Sequence, residues 1–324
     1  MISFSTCWNS SRHQDGVAMI EEILDLGFNT VELGHGTRVS LLAGIQRLFD
    51  AGRFRVSSLH NFCPLPVEVT TGNPDCYEFT SHRPADRERA VKLTRQTIDC
   101  AVRLGATYVV LHLGRVHTMR ACTRPLIALA KEGRLLSKEA IQLKINAVRE
   151  REASAPAYLQ RALECLKPVV EYAAEKNVYL GVEGRHSYEE VPSEREFDEV
   201  FATLDSPNVG YWHDFGHIQV KQNLGFADHA EALVQKRDRF FGGHLHDTIW
   251  PGDDHQVPFS GGVDFPRLIP LLPANAPFVW EMSPRRTTES IADALVQWRG
   301  RFPETFNGNA AAPAIAAASA GPLS

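Results

Sequence analysis

The sequence predicts an α/β protein, a single (β/α)8 TIM barrel with a helical insertion after the fourth strand. Short runs rich in β-branched and aromatic residues alternate about eight times with longer amphipathic stretches, a pattern typical of parallel strands joined by helices. The 324 residues suit one barrel with insertions. Histidine and carboxylate residues also follow most of the strands, as expected where strand ends converge on one rim.

The eight strands are predicted from the β-branched and aromatic runs. They cover residues 2–6, 29–33, 55–60, 108–113, 179–183, 209–213, 241–245 and 278–281. Eight such strands favour closure into a barrel, with an open doubly wound sheet as the alternative.

Helices between the strands are supported by periodicity and by end signals. Gly105 is expected to end the helix before the fourth strand, and Ser193 with Glu196 has the spacing of a capping box that begins a helix. A further helix is predicted from Ala157, because apolar residues recur there on one face: Leu159, Ala162, Leu163, Leu166, Val169, Val170 and Ala173.

One connection, residues 114–155, is too long for an ordinary loop and has a helical pattern of its own, with Ser137 as a candidate cap. Residues 114–152 contain nine Lys or Arg against four Glu, a local net charge of +5. Because this insertion follows the fourth strand, we expect it at the active-site face, as a lid over an anionic substrate. The barrel is assigned to residues 1–306, and the Ala-rich tail, 307–324, is expected to be disordered and without catalytic function.

Composition argues for a soluble cytoplasmic protein. The formal net charge is -5 with a pI near 6.2, so extensive binding to nucleic acid or to an anionic membrane is disfavoured, although a local basic groove stays open. No segment has the pattern of a signal peptide or the length of a transmembrane helix. Six cysteines are widely spaced without a CxxC pair, which is typical of reduced thiols. A homo-oligomer is left open.

Candidate metal ligands collect where the later strands end. They are His60, His112, Glu183, His213, Asp214, His217, His244, His246, Asp247, Asp253, His255 and Glu281. Since parallel strand ends meet at one rim of a barrel, the carboxylates would repel one another unless a cation compensated them. Mixed imidazole and carboxylate ligands favour Zn, Mn, Co or Fe over Ca. The predicted cofactor is a divalent metal, Mn, Zn, Co or Mg, in unknown number.

At these residues the chain resembles the xylose isomerase-like TIM-barrel superfamily, which contains sugar isomerases and epimerases and the endonuclease-four type of apurinic endonuclease. The resemblance extends over residues 2–302, outside the insertion. The epimerase branch implies a metal quartet of Glu183, Asp214, His244 and Glu281, with His217 as a residue beside the metal or substrate. The endonuclease branch implies further metal or substrate ligands, which match His60, His112, His217, Asp253 and His255.

The resemblance to the endonucleases is incomplete after the seventh strand. Where their pattern has Asn-Asp and then Asp-Arg-His, this chain has His246-Asp247 and then Asp253-Asp254-His255 after a shorter spacer. The missing arginine and the shorter spacer argue against a DNA-repair activity.

We therefore expect a metal-dependent sugar or sugar-phosphate isomerase or epimerase that moves a proton through an enediolate. Glu183 and Glu281 are the expected acid and base, and His217 is expected to orient or protonate a substrate oxygen. The alternative is a multinuclear metal-dependent phosphoester hydrolase related to the apurinic endonucleases, and a sugar- or metal-binding barrel without turnover is a third hypothesis.

Other residues near the strand ends are candidates for substrate contact. Arg185, Trp212 and His246 are assigned to substrate binding, although a salt bridge or ordinary burial would also explain the first two. The Ser-Gly-Gly run at 260–262 is a candidate for phosphate binding through backbone N–H groups.

Overall fold

The structure, a computed structural model, describes residues 2–273 and 276–306. The predicted disordered tail at 307–324 lies outside the described residues. Among the described residues, none of the helices is both long and apolar enough to cross a membrane.

Eight parallel strands form a closed barrel, as predicted. They are β1 (Ile2–Ser5), β2 (Thr30–Leu33), β3 (Arg55–His60), β4 (Tyr108–Leu111), β5 (Tyr179–Glu183), β6 (Val209–Asp214), β7 (Phe240–Leu245) and β8 (Phe278–Trp280). Each strand pairs with its neighbours in chain order, and β8 pairs with β1 to close the barrel. All eight strand ends therefore lie on one rim.

Helices surround the barrel and follow the strands. They are α1 (Gly16–Asp25), α2 (Leu42–Asp50), α3 (Pro84–Arg103), α4 (Thr123–Lys131), α5 (Lys138–Glu175), α6 (Phe197–Leu204), α7 (Phe215–Leu224), α8 (His229–Gln235), α9 (Phe265–Leu268) and α10 (Thr288–Arg301). Two small antiparallel sheets of two strands each lie outside the barrel: the hairpin in which Asp247–Ile249 pairs with Asp253–Gln256, and the pair formed by Gly114–Arg115 and Glu190–Val191.

The helix ends agree with the sequence in part. Gly105 follows α3 with a φ of 63°, the left-handed conformation expected of a residue that ends a helix. The amide of Ser193 donates to Oε2 of Glu196 at 2.7 Å, but α6 begins only at Phe197, because residues 194–196 form a turn. The prediction that this helix begins at Ser193 is therefore wrong by about one turn.

The insertion and the helix predicted from Ala157 are one element. Ser137 caps α5 by accepting a hydrogen bond from the amide of Ala140 at 3.2 Å, as predicted. The helix then continues for 38 residues through Pro156 to Glu175. The predicted boundary at residue 155 is wrong, since α5 has one continuous buried face running from the insertion onto the barrel.

Hydrophobic packing is divided by the barrel wall. Most buried apolar side chains lie between the strands and the helices. A separate small cluster contains strand residues whose side chains point away from the helices, as expected for side chains that fill the barrel interior. Its members are Tyr108, Val110, Trp212, Phe241 and Val279. Trp212 is completely buried there, and its ring lies 5.5 Å from the ring of His244. Trp212 therefore packs inside the barrel beneath His244. Its complete burial gives no support to the prediction that it contacts substrate.

Candidate metal centre

A cavity of about 700 Å³ opens at the C-terminal ends of the strands. Polar and ionisable side chains from loops all around the barrel line it, among them His35, Arg38, His60, His112, Glu183, Arg185, His186, His217, Asp254, His255, Glu281 and Arg285. A cavity of this volume is suited to a small molecule.

Four side chains from consecutive strands converge at this end of the barrel, and two of them, Glu183 and Glu281, line the cavity. Glu183 and Asp214 end β5 and β6, His244 lies near the end of β7, and Glu281 follows β8. One ligand atom of each lies within 4.8 Å of the others, and all four residues are buried. Nδ1 of His244 is 3.3 Å from Oε1 of Glu183, 3.3 Å from Oε2 of Glu281 and 3.6 Å from Oδ2 of Asp214. We call these four residues the quartet.

The orientation of His244 is fixed by a carboxylate that sequence reasoning missed. Its Nε2 lies 3.3 Å from Oε2 of Glu32, which also accepts a hydrogen bond from the hydroxyl of Ser58 at 2.8 Å. Glu32 is completely buried in β2. With its proton on Nε2, His244 presents the lone pair of Nδ1 to the other three members of the quartet. A carboxylate in this position fixes the tautomer and the ring orientation of a metal-ligating histidine.

Glu183 is shared with a second group of possible ligands. Its Oε2 lies 2.7 Å from Nε2 of His112 and 3.0 Å from Nε2 of His60, whereas its Oε1 faces the quartet. Nδ1 of His112 is 3.1 Å from Oδ1 of Asp75. The two oxygens of Glu183 therefore face two different clusters of nitrogen and oxygen atoms.

A third group contains His217 and His255 but not the predicted Asp253. Nδ1 of His217 lies 3.3 Å from Oε1 of Glu183, and Nε2 of His255 lies 3.6 Å from Oε2 of Glu281. The carboxylate that accompanies them is that of Asp254, 3.2 Å from Nδ1 of His255. Asp253 is exposed in the hairpin strand and does not line the cavity, whereas the next two residues, Asp254 and His255, do.

His246 also occupies a different position from the predicted one. It is completely buried, and its Nε2 lies 2.9 Å from Oδ1 of Asp214. Its Nδ1 accepts a hydrogen bond from the amide of His255 at 2.9 Å. Both ring nitrogens are therefore engaged by protein groups. His246 is not among the residues that line the cavity, so a direct substrate contact is not supported.

Charge in this region is balanced by imidazoles. Burial raises the pKa of the carboxyls of Glu183, Asp214 and Glu281, but nearby histidines, His112, His217 and His244 respectively, outweigh burial and hold each pKa below its usual value. Conversely, burial lowers the pKa of His244, and the carboxylates of Glu281, Glu32 and Glu183 raise it well above the usual value. No Lys or Arg nitrogen lies within 4 Å of the quartet carboxylates in the described part of the chain.

Arg185 lines the cavity but is already neutralised. Its Nη2 donates to Oε1 of Glu190 at 2.6 Å and to Oδ2 of Asp75 at 3.0 Å. Burial lowers the pKa of its guanidinium, and the two carboxylates raise it above the usual value. The salt bridge that the sequence analysis gave as the alternative role of Arg185 is therefore present. A contact between Arg185 and substrate stays a prediction.

The Ser-Gly-Gly run at 260–262 does not offer the predicted phosphate site. The amides of Gly261 and Val263 donate to the carboxylate of Asp247 at 2.8 and 2.9 Å, and the amide of Thr248 donates to it at 2.7 Å. Asp247 thus holds the loop after β7 together, and these N–H groups have partners within the chain.

The insertion does not form the expected lid. None of its described residues lines the cavity. Instead it packs beside the loop after β5, where the buried Glu189 accepts from the amide and hydroxyl of Thr123 at 2.9 and 2.6 Å and Arg151 pairs with Glu196 at 2.6 Å. Other segments line the cavity, including Leu65, 70–72 and Pro74.

Two further ionisable residues line the cavity beside Glu281. His35 follows β2, and its Nδ1 lies 3.6 Å from Sγ of Cys7. Burial lowers the pKa of His35 to about 3. Sequence reasoning did not select His35, although a histidine two residues after a predicted strand gave the same signal as the histidines it selected.

The sequence model of the xylose isomerase-like TIM barrel family matches residues 20–299. The chain belongs to this family. The uncharacterized protein y4fM of Sinorhizobium fredii (strain NBRC 101917 / NGR234) is 24% identical over 210 residues, 65% of this chain and 56% of the relative. The match therefore spans little more than half of that relative's length.

Solved structures of this fold resemble the barrel along almost its whole length. A D-tagatose 3-epimerase-like protein has a TM-score of 0.66 at 16% identity, covering 94% of this chain and 98% of the other. The 3-keto-D-glucoside 4-epimerase YcjR from E. coli has a TM-score of 0.66 at 15% identity, covering 92% and 98%. The IolI protein, with a bound zinc atom, has a TM-score of 0.64 at 12% identity, covering 93% and 99%. At these identities the likeness establishes the fold.

Proposed function

We propose that this protein is a metal-dependent sugar or sugar-phosphate isomerase or epimerase. The observation that carries the proposal is the quartet of Glu183, Asp214, His244 and Glu281, of which Glu183 and Glu281 line a cavity of about 700 Å³. The epimerase names of two similar structures support the same reaction class.

The donor set fits a divalent cation. Within the described residues, the ion-pair partners of these three buried carboxylates are imidazoles, which compensate their charge only when protonated. A divalent cation would supply the compensation that buried charges require without those protons. Mixed oxygen and nitrogen donors suit Zn, Mn or Co, with Mg as a harder alternative. The bound cation would supply Lewis acidity toward a substrate carbonyl and its neighbouring hydroxyl.

Glu183 and Glu281 are the proposed acid and base. Each places an oxygen 3.3 Å from Nδ1 of His244, and both residues line the cavity. In an epimerase, a carboxylate that takes a proton from carbon on one face of the substrate needs a second group to return a proton on the opposite face. His217, which also lines the cavity, orients or protonates a substrate oxygen.

A multinuclear phosphoester hydrolase is the second candidate. It is favoured by one observation, the approach of His60 and His112 to the oxygen of Glu183 that faces away from the quartet. That arrangement suits a carboxylate shared between two cations, and multinuclear sites are common in phosphoester hydrolases.

Hydrogen exchange separates the two candidates. We expect the purified, metal-loaded protein to incorporate deuterium at carbon when a panel of ketoses and ketose phosphates is incubated in heavy water. Glu183→Gln and Glu281→Gln should lower exchange by orders of magnitude, whereas Glu199→Gln, at an exposed position of α6, should leave it unchanged. Metal-dependent cleavage of phosphodiesters or abasic-site DNA, without exchange on any sugar, would favour the hydrolase.

Metal content provides an independent test. Elemental analysis of protein purified without a metal-affinity tag should give about one tightly bound ion per chain for an isomerase. Three ions per chain, with His60→Gln and His217→Gln each losing one of them, would favour the hydrolase.

A further inference from the structure

The cavity has a second polar region beside the metal centre. The quartet is contributed by β5 to β8, whereas Ser10 follows β1, Arg38 follows β2 and Arg285 follows β8. Because β1 lies four strands from β5 in either direction around the closed barrel, the loops after β1 and β2 face Glu183 across the cavity. We call Arg38 and Arg285 the arginine pair.

The arginine pair differs from Arg185 in its charge balance. Arg185 is held by two carboxylates, Asp75 and Glu190. Within the described ranges, no carboxylate oxygen lies within 4 Å of a guanidinium nitrogen of Arg38 or Arg285. Two of the three arginines that line the cavity therefore carry positive charge that no ion pair neutralises.

Arg38 is held in place without being neutralised. Its backbone pairs with that of Leu65 in an isolated bridge, and its Nη2 donates to the carbonyl oxygen of His13. Its buried Nε has no hydrogen-bond partner in the described structure. A neutral partner fixes the guanidinium yet leaves its charge and a donor available, as recognition of an anion requires.

Hydroxyl groups accompany the arginine pair. Ser10, Ser11 and Ser283 line the same cavity. A Cβ built on Gly36 would lie 2.7 Å from Oγ of Ser10, so the loop after β2 approaches this serine more closely than a larger residue would allow. Serine hydroxyls beside arginines are suitable donors to phosphate or carboxylate oxygens.

The usual phosphate position of a TIM barrel is closed in this chain. Barrels of this type often bind phosphate at the loops after the seventh and eighth strands, but here the amides of Gly261 and Val263 are used by Asp247. An anionic substrate would therefore need another set of donors.

We infer that the substrate carries an anionic oxygen group, a phosphate monoester or a carboxylate, which the arginine pair binds away from the reacting carbon. This inference rests on the proposed function in taking the cavity as the substrate site. The chemical class is therefore a phosphorylated or acidic monosaccharide, in preference to a neutral one.

Binding of small probes tests the inference without any assay of turnover. Glycerol 3-phosphate, glycerate and glycerol share a three-carbon skeleton and differ in their anionic group. Calorimetric titration of the full chain, metal-loaded and after chelation, would compare the parent with Arg38→Lys, Arg38→Met and Arg285→Met. Arg124→Met is the matched control, because it removes the same charge from an exposed arginine outside the cavity.

We expect one or both anionic probes to bind more tightly than glycerol, and their relative affinities identify phosphate or carboxylate. Arg38→Met and Arg285→Met should each weaken binding at least about tenfold, the loss expected when a charge-assisted hydrogen bond is removed, with partial retention in Arg38→Lys. Arg285 is exposed, so its substitution keeps the test valid if Arg38→Met does not fold.

Anion binding that disappears on chelation and is unchanged in Arg285→Met and Arg38→Lys would overturn the inference, because the metal would then be the anion site. Equal affinity for glycerol and the two anions would overturn it as well. Absence of hydrogen exchange with intact arginine-dependent binding would instead contradict the proposed reaction alone.

Discussion

At the scale of single residues, His246 orients a proposed ligand without being a good ligand itself. Its Nδ1 accepts from the amide of His255, so its Nε2 carries the proton and donates to Asp214. His246→Gln should therefore weaken divalent-metal affinity roughly ten- to hundredfold, the usual effect of removing such a partner. Metal titration of the chelated protein measures this change.

Gly216 offers a second route to the same test. A Cβ at this position would lie 2.0 Å from Cε1 of His246, so Gly216→Ala should displace the ring and lower metal affinity in the same direction. His82→Gln, at a histidine bonded to Tyr158 and outside the cavity, is the control. Unchanged metal affinity in both His246→Gln and Gly216→Ala would show that His246 does not orient Asp214.

The barrel itself brings together residues that the sequence could only place at strand ends. Twelve candidates were taken from strand ends, the resemblance to the xylose isomerase-like superfamily implied the quartet among them, and in the structure the ligand atoms of these four residues lie within 4.8 Å of one another. The choice between Asp253 and Asp254 failed, since it depends on which face of a short hairpin points inward, and two adjacent aspartates give no periodic signal. Glu32 was missed for another reason: it lies within a strand, where a carboxylate becomes informative only once His244 is seen beside it.

At the scale of elements, the insertion is part of the barrel's outer packing. Glu189 is buried, and its donors, the amide of Cys122 and the amide and hydroxyl of Thr123, belong to the start of α4. Thr123→Val removes one donor to a buried carboxylate and should lower the free energy of unfolding by about 1–3 kcal/mol. Denaturation by urea would measure the change.

The same variant separates a structural role from a lid. Thr118→Val, at an exposed neighbouring position, is the control and should have little effect. If the insertion is structural, Thr123→Val lowers stability while the Michaelis constant changes little. A large rise in the Michaelis constant at unchanged stability would restore the lid hypothesis.

Sequence reasoning divided α5 at residue 155, next to Pro156. Pro156 lacks an N–H and normally disfavours the interior of a helix by about 3 kcal/mol. In the structure the helix continues, and buried residues on both sides of the proline, including Ala155, Tyr158 and Leu159, pack against the core. Tertiary burial outweighs local propensity here, and a single sequence does not reveal that outcome.

At the scale of the whole molecule, closure of the barrel concentrates charge that a cation would compensate. Without a metal, the carboxylates are balanced by protonated imidazoles. Burial lowers the pKa of His112, as does Arg185, but the carboxylates of Asp75 and Glu183 outweigh both and raise it from 6.5 to about 9. Chelated protein therefore depends for part of its stability on protons that a bound metal would replace.

This dependence predicts how metal stabilisation varies with pH. A histidine whose folded pKa lies above its unfolded value stabilises the protein fully below pH 6.5, and the contribution is lost as pH rises toward 9. His112 alone would account for about 3 kcal/mol over that interval. The carboxyls of Glu183, Asp214 and Glu281 have lowered pKa values, so the stability that they contribute is lost only in acid. They do not affect stability between pH 6.5 and 9.

Metal affinity should increase as pH rises over the same interval, because histidines bind metal in their neutral form. The melting temperature of chelated protein should thus fall between pH 6.5 and 9, and the difference between metal-loaded and chelated protein should widen over the same range. Calorimetric melts at four pH values across this interval would test it, with His112→Gln expected to reduce the slope of the chelated protein. A difference in melting temperature that is absent, or that narrows as pH rises, would contradict a metal centre built on these histidines.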